Sequence, residues 1–131
     1  MMVIDASAAV EFLLKTPVGV QVDAFVGWSA LLAPELLDAE VLSVLRREVL
    51  SRRLAEARAE EALEDLGDWG IQRLPHRSLL ATAWGLRRNL SAYDALYVAA
   101  AVDRGIPLLT ADGPLSRAPL RGVIVHNIRG P

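Results

Sequence analysis

Short apolar runs alternate with longer stretches of helical periodicity along the whole chain. Each run is too short for a helix, which favours a strand. The predicted strands are residues 2–4, 31–33, 71–74, 108–110 and 123–125. Strands that alternate with helices are typical of an α/β protein, in which crossover helices join the strands of a parallel sheet.

The stretches between the predicted strands carry apolar residues at helical spacing. The predicted helices are residues 6–14, 18–28, 34–53, 55–66, 78–88 and 92–104, with a short turn near 114–117. Pro34 is placed at the first position of its helix, where a missing N–H costs nothing. The predicted order is therefore β-α-α-β-α-α-β-α-α-β-α-β.

Length and composition restrict the class of protein. A chain of 131 residues that is 53% hydrophobic can bury one core, so we expect a single domain over residues 1–131. The absence of cysteine excludes a disulfide scaffold and a thiolate zinc site. No apolar run approaches the roughly 20 residues of a membrane span, and the N-terminus lacks the features of a signal peptide. We therefore expect a cytoplasmic protein without a membrane partner.

Four acidic residues occupy positions that surface carboxylates rarely take. Asp5 and Asp112 directly follow predicted strands, and Glu40 and Asp94 lie inside apolar helical patterns. In open parallel sheets, ligands bind at the carboxyl ends of the strands. Carboxylates gathered there repel each other unless a proton or a hard cation such as magnesium intervenes. The pattern thus predicts a metal-dependent reaction on a phosphate group.

Each acid also has an ordinary structural explanation. Asp5 can cap the first helix, although Ser7 can do so equally well. Asp94 fits a capping arrangement that begins at Ser91, and Asp112 begins an Asp-Gly-Pro turn. In the third helix, periodicity does not decide between Glu40 and Asp38.

Basic and apolar residues supply candidate contact surfaces. The net charge of −2 argues against a broadly basic nucleic-acid binder, but a local positive stripe remains compatible with it. Candidate phosphate contacts are Arg46, Arg47, Arg52, Arg53, Arg87, Arg88 and Arg117. The apolar helix faces that contain Val18, Val22 and Phe25, and Leu37, Val41 and Leu45, are either core or partner-binding surface.

At the four acids the sequence resembles the PIN-domain nucleases, and most closely the VapC-type toxins of bacterial toxin–antitoxin pairs. The resemblance covers nearly the whole chain. It is carried by Val3-Ile4-Asp5-Ala6-Ser7-Ala8, Ala39-Glu40-Val41, Ser91-Ala92-Tyr93-Asp94-Ala95-Leu96-Tyr97 and Leu109-Thr110-Ala111-Asp112. The third segment is the most specific. The resemblance implies a three-layer α/β/α sandwich around a mainly parallel sheet.

The resemblance also implies roles for individual residues. It selects Glu40 rather than Asp38, and it makes Asp5 and Asp94 the principal metal ligands of a catalytic cluster that Glu40 and Asp112 complete. Ser7 and Thr110 match supporting positions where the family often has small hydroxyl residues. Some family members carry a further acid just beyond the last one, where Gly113 and Pro114 follow Asp112 in this chain; this difference bears on whether a second ion binds.

The implied activity is that of a magnesium-dependent endoribonuclease. A metal-bound water would hydrolyse the RNA phosphodiester and leave a 5′-phosphate and a 3′-hydroxyl, with manganese as the alternative ion. The implied partners are the RNA substrate, a cognate antitoxin protein and a second copy of the chain in a homodimer.

Other functions fit the sequence less well. A metal-free ribonuclease would need a general acid and base, for which His76 and His126 are isolated candidates. A phosphoacceptor receiver domain is expected to have a lysine after a late strand, whereas the sole lysine is Lys15. A phosphate-loop motif is absent from the sequence. A catalytically silent PIN-like interaction module is the remaining alternative.

Overall fold

A parallel sheet of five strands forms the centre of the computed structural model, which describes residues 1–130. The strands are β1 (Met2–Ile4), β2 (Leu31–Pro34), β3 (Gln72–Leu74), β4 (Leu108–Thr110) and β5 (Val125–Asn127). Their spatial order is β3-β2-β1-β4-β5, and every neighbouring pair is parallel. The sheet is therefore parallel over the described residues, and β1 lies at its centre.

Helices follow the strands in the predicted order. They are α1 (Ala6–Leu13), α2 (Val20–Val26), α3 (Leu36–Leu50), α4 (Glu56–Asp68), α5 (Leu80–Gly85), α6 (Ala92–Arg104) and α7 (Gly113–Ser116). A 3₁₀ turn at His76–Leu79 precedes α5.

The helices form two groups on either side of the sheet. Helices α1, α3 and α4 contact one another, whereas α5 and α6 contact each other. The chain proceeds outward from β1 through β2 to β3, and then returns past β1 to β4. Because parallel crossovers are almost always right-handed, this reversal places α5 and α6 on the opposite face. The α/β/α fold is thereby confirmed.

Helix α6 packs closely on the centre of the sheet and contacts β1, β2 and β4. Ala99, Ala100 and Ala101 are fully buried, and their small side chains allow the helix to lie close to the strands. Gly105 ends the helix in a left-handed conformation with φ 64°. Glycine adopts this conformation without a steric clash because it has no Cβ. This packing fixes the first turn of α6 near the carboxyl end of β1.

Several predicted boundaries differ from the observed ones by a few residues. Pro34 is the last residue of β2 rather than the first of the helix; it pairs with Leu74, and the N–H of Glu35 donates to the Leu74 carbonyl. Proline has no backbone N–H to donate, and it is tolerated here because the pairing of β2 with β1 ends before it, at Val3 and Leu32. The helix predicted at 78–88 is a 3₁₀ turn followed by α5, which ends at Gly85.

The last strand is displaced toward the C-terminus relative to the prediction. The apolar run at 123–125 suggested its position, but the pairing of Leu108 with Val125 and of Thr110 with Asn127 defines β5. The backbone of β4 decides this register, because an edge strand with half-buried side chains has no strong apolar pattern of its own.

The apolar face of α3 belongs to the core. Leu37 and Val41 are fully buried and Leu45 is 1% exposed, so the reading of these residues as partner-binding surface is wrong. Val22 is likewise buried, whereas Phe25 is exposed. Within residues 1–130, no helix has the length and apolar character required to cross a membrane.

Candidate active site

The carboxyl ends of β1 and β4 lie side by side, since Ile4 pairs with Leu109. From β1 the chain leaves toward β2 on one side, and it returns to β4 on the other. Such a reversal of strand order opens a crevice at the sheet edge, where ligands of α/β proteins bind. Asp5 directly follows β1, and Asp112 comes two residues after the end of β4. The topology therefore brings these two acids to one edge.

Asp5 is buried at 5% exposure and receives three hydrogen bonds. Its Oδ1 accepts from the Ser7 hydroxyl at 2.7 Å and from the backbone N–H of Ala8 at 3.0 Å. Its Oδ2 accepts from the Thr110 hydroxyl. Asp5 thus caps α1 and lies at the strand edge at once, so the two interpretations of this residue are not alternatives.

The two hydroxyls are themselves oriented by the backbone. Ser7 Oγ accepts from the N–H of Ala111 at 2.9 Å, and Thr110 Oγ1 accepts from the N–H of Asp112 at 2.9 Å. An ionised carboxylate can only accept hydrogen bonds, so the two hydroxyls donate to Asp5 while they accept from the backbone. This arrangement favours the ionised carboxylate and holds it in one orientation.

Burial works against that ionised form. It raises the pKa of Asp5 from 3.8 to about 6, although the hydrogen bonds from Thr110, Ala8 and Ser7 lower it, and the charge of Asp112 adds to the rise. The carboxylate is therefore a destabilised anion near neutral pH, which a cation would stabilise.

Asp94 lies in the first turn of α6, where the Ser91 hydroxyl accepts from its backbone N–H at 3.1 Å. The predicted cap at Ser91 is confirmed. Burial raises the pKa of the Asp94 carboxyl, and the charge of Asp112 raises it further, whereas Ser91 lowers it. The negative charge of Asp112 raises the pKa of both Asp5 and Asp94, so these three carboxyl groups lie close enough to repel one another.

Asp112 caps the short helix α7, where its Oδ1 accepts from the N–H of Leu115 at 3.2 Å. The turn chemistry predicted for this Asp-Gly-Pro segment is therefore present. As at Asp5, the capping role coexists with a position at the edge of the acidic cleft.

The structure shows which of the two acids of α3, Glu40 or Asp38, faces the other acids; helical periodicity could not decide between them. Glu40 is half-buried and faces the other acids, and it makes no hydrogen bond or ion pair among residues 1–130. Asp38 is exposed and pairs with Arg73 through two contacts of 2.9 and 3.2 Å. Glu40 is thus the acid of α3 that belongs to the cleft, and Asp38 belongs to a surface ion pair.

All four acids line one cleft with a volume of about 280 Å³. Besides the carboxyls, the lining includes Ala6, Ser7, Ser43, Val44, Arg47 and Tyr97. Arg47 is one of the arginines that the sequence suggested as phosphate contacts. Tyr97 was not anticipated, although its position one turn after Asp94 on the same helix face is a signal that could have identified it.

Larger hollows exist elsewhere, but they lack this chemistry. One of about 420 Å³ is lined by Leu80, Trp84, Arg87 and other mainly apolar residues of α5 and α6, and no acid contributes to it. A site for chemistry on phosphate needs titratable or ionic groups. The smaller acidic cleft is therefore the candidate active site.

The two histidines have structural roles away from this cleft. His76 Nε2 accepts from the N–H of Leu36 at 2.9 Å and so caps the start of α3. The ring of His126 packs on Phe25, with centroids 5.4 Å apart. Neither residue lines the acidic cleft, and Lys15 does not line it either.

The donor set of the cleft suits a hard divalent cation. Its carboxylate oxygens are the ligands that magnesium prefers. Burial, with a smaller contribution from the charge of Asp112, raises the pKa values of Asp5 and Asp94, so a bound cation would favour their charged forms. Within the described part of the chain, no three Asp, Glu or His side chains converge tightly enough to hold an ion by themselves. Magnesium typically keeps several waters and uses one or two carboxylates, so the residues present fit this ion.

Comparison with known proteins identifies the family. The PIN domain profile matches residues 2–120. The ribonuclease VapC1 of Mycobacterium tuberculosis is 43% identical over 119 residues, which cover 89% of this chain and 90% of the relative. Among solved structures, PAE2754 from Pyrobaculum aerophilum superimposes with a TM-score of 0.67 at 25% identity, covering 95% of this chain and 82% of that one.

A second solved structure supports the fold at lower sequence similarity. VapBC2 from Rickettsia felis, bound to a DNA fragment from its promoter, has a TM-score of 0.67 at 14% identity and covers 96% of this chain and 97% of that one. With the parallel sheet and its acidic edge, these matches show that the chain belongs to the PIN-domain family and is of the VapC type.

Proposed function

We propose that the chain is a magnesium-dependent endoribonuclease that acts as the toxin of a toxin–antitoxin pair. The observation that carries the proposal is the convergence of Asp5, Glu40, Asp94 and Asp112 on one cleft at the carboxyl edge of the sheet. Relatives at 43% identity are named ribonucleases, which supports RNA as the substrate. Manganese is the alternative ion, since it accepts the same oxygen ligands.

Asp5 and Asp94 would hold the ion, and when bound it would supply an activated water and neutralise charge on the phosphate oxygens. Asp5 suits this role because three hydrogen bonds fix its carboxylate in place. Asp94 is positioned by the cap at Ser91 and by the packing of α6 on the sheet.

The remaining groups of the cleft act on the substrate side. Glu40 makes no hydrogen bond that meets the distance and angle limits within residues 1–130, so its carboxylate is available to orient a water or to accept a proton. Asp112 adds negative charge close to Asp5 and Asp94 and strengthens their attraction for a cation. Arg47 is exposed, forms no ion pair within residues 1–130, and can contact a phosphate of the RNA.

The expected products carry a 5′-phosphate and a 3′-hydroxyl, because hydrolysis by water does not use the ribose 2′-hydroxyl. The deciding experiment incubates purified protein with total RNA, with magnesium or with EDTA, beside Asp5→Asn, Asp94→Asn and the surface control Asp38→Asn. Discrete 5′-phosphorylated products are expected from the wild type and from Asp38→Asn alone, and only with magnesium.

Two outcomes would contradict the proposal. Cleavage that persists in EDTA and in both cleft variants would indicate a metal-independent activity or a contaminant. A folded, antitoxin-free wild type that neither cleaves RNA nor binds magnesium by calorimetry would indicate a silent PIN-like interaction module.

The proposed partners are a cognate antitoxin and a second copy of the chain. The structural match to VapBC2 agrees with an antitoxin partner. The unpaired negative charge of the cleft suits a basic antitoxin side chain, which would compete with the ion for the carboxylates. Co-purification with the antitoxin, and size-exclusion chromatography with light scattering on the free protein, test these two partners separately.

A further inference from the structure

Tyr97 is a buried polar residue of the cleft to which neither the fold nor the proposed chemistry gives a role. It lies in α6, one turn after Asp94, and is 1% exposed. Its hydroxyl oxygen is buried and has no hydrogen-bond partner among residues 1–130. Buried hydroxyls are nearly always paired, and an unpaired one lowers stability. A phenylalanine would fill the same space without this cost.

The carboxyl of Glu40 and the backbone N–H of Ala6 lie close enough to act on the phenol as potential hydrogen-bond partners. Neither one meets the distance and angle of a hydrogen bond to its oxygen. Ala6 is the first residue of α1, so its N–H has no partner within the helix. A phenol can accept from such an N–H while it donates its own proton elsewhere. Glu40 is the acceptor that this proton can reach.

The Tyr97 hydroxyl can donate a hydrogen bond, and the Glu40 carboxylate can accept it. Burial raises the pKa of the Tyr97 phenol well above its usual range, and Glu40, as a hydrogen-bond acceptor and as a charge, and then the charge of Asp5 raise it further, so the hydroxyl keeps its proton. Glu40 makes no hydrogen bond or ion pair among residues 1–130. A buried donor without an acceptor thus lies beside a carboxylate without a donor. A small rotation of the flexible Glu40 side chain would satisfy both groups.

We propose that Tyr97 is a positioning residue, which donates a hydrogen bond to Glu40 and holds that carboxylate in the orientation that acts on the substrate. The inference rests on the proposed ribonuclease activity for its kinetic consequence, but not for the hydrogen bond itself. It explains why a tyrosine occupies a site whose volume and burial favour phenylalanine. Loss of one such positioning contact is expected to lower kcat about tenfold.

The test is Tyr97→Phe, compared with Tyr93→Phe. Tyr93 lies on the same helix, is 60% exposed and does not line the cleft, so the control removes an identical hydroxyl from a neighbouring position. Tyr97→Phe is expected to lower kcat about tenfold, with KM unchanged and with a melting temperature at or slightly below that of the wild type, because a hydrogen bond to a carboxylate is lost. Tyr93→Phe is expected to leave kcat at the wild-type value.

A double substitution separates positioning from a general effect on the fold. If Tyr97 acts through Glu40, then Tyr97→Phe has no further effect on kcat in the Glu40→Gln variant. An equal fractional loss of kcat in both backgrounds, or a wild-type kcat in Tyr97→Phe alone, would overturn the inference.

The hydrogen bond can also be tested without activity, so the inference and the proposed function can fail separately. Carbon-13 NMR of magnesium-free protein compares the chemical shift of the Glu40 side-chain carboxyl in the wild type, in Tyr97→Phe and in Tyr93→Phe. Loss of a donated hydrogen bond is expected to move this chemical shift in Tyr97→Phe but not in Tyr93→Phe. The wild-type chemical shift in Tyr97→Phe would refute the inference even if the protein cleaves RNA; a change confined to Tyr97→Phe would support it even if no cleavage is found.

Discussion

The hydroxyl of Thr110 donates a hydrogen bond to the carboxylate of Asp5 across 105 positions of the sequence. It joins the ends of β1 and β4 at the centre of the sheet, where Ser7 supplies a second hydroxyl. Both hydroxyls accept from the backbone that follows β4, so the turn after one strand orients the acid after the other. The geometry of the candidate site thus depends on the pairing of β1 with β4.

Because the carboxyl of Asp5 is buried, we expect the ion-free protein to become less stable as the pH rises. Its pKa is 3.8 in the unfolded reference and about 6 in the fold, so the folded state binds the proton more tightly. The resulting stabilisation is complete below pH 3.8 and is lost as the pH rises through about 6. It amounts to about 3 kcal/mol, since a tenfold difference in proton affinity corresponds to about 1.4 kcal/mol.

Urea unfolding in EDTA between pH 4 and 8 measures this effect. The free energy of unfolding of the wild type, relative to that of Asp5→Asn, is expected to fall across the window. A constant difference between the two proteins would show that Asp5 does not titrate there. Magnesium is expected to reduce the pH dependence, because a bound cation favours the charged carboxylate.

Thr110→Val keeps the shape of the side chain but removes its hydroxyl. Asp5 Oδ2 then loses a donor, and the N–H of Asp112 loses its acceptor. We expect destabilisation by about 1 to 3 kcal/mol, and more at pH 8 than at pH 4, because the lost donor serves the charged carboxylate. Thermal unfolding at the two pH values checks this, and an equal loss at both would mean that the hydroxyl does not support the anion.

Glu40 and Asp38 lie two residues apart on α3 and differ in their surroundings, so their amide variants form a matched pair. Glu40→Gln is expected to reduce RNA cleavage by about 100-fold or more, as loss of a group that moves a proton typically does. Asp38→Asn breaks only an exposed ion pair with Arg73 and should change stability by less than about 1 kcal/mol. Equal activities of the two variants in a cleavage assay would remove Glu40 from the site.

Arg47 is expected to bind an RNA phosphate, whereas Arg46 borders a different hollow, together with Leu42 and Val49. In a Glu40→Gln background with magnesium, Arg47→Gln should weaken the binding of single-stranded RNA. It should also reduce the slope of log affinity against log salt by about 0.7, the value of one phosphate contact. Arg46→Gln carries the same charge change and should have a smaller effect on the slope. Fluorescence anisotropy over a salt series measures both slopes.

The sequence by itself determined the order of the elements and the positions of the acids within them. Apolar runs and helical periodicity depend on which side chains leave water, and this is a local property of the sequence. The strands at Met2–Ile4 and Leu108–Thr110, with Asp5 and Asp112 just beyond them, follow directly from it.

Boundaries and partners were decided by contacts between distant segments. The register of β5 depends on the backbone of β4. Glu40 faces the cleft because of how α3 packs, whereas Asp38 lies at the surface, where it pairs with Arg73. The unpaired hydroxyl of Tyr97 becomes apparent only when α6 is packed beside Glu40. Periodicity assigns residues to faces of one helix, but only the packing of α3, α6 and the sheet determines which polar groups meet, since burial makes each unmatched donor or charge costly.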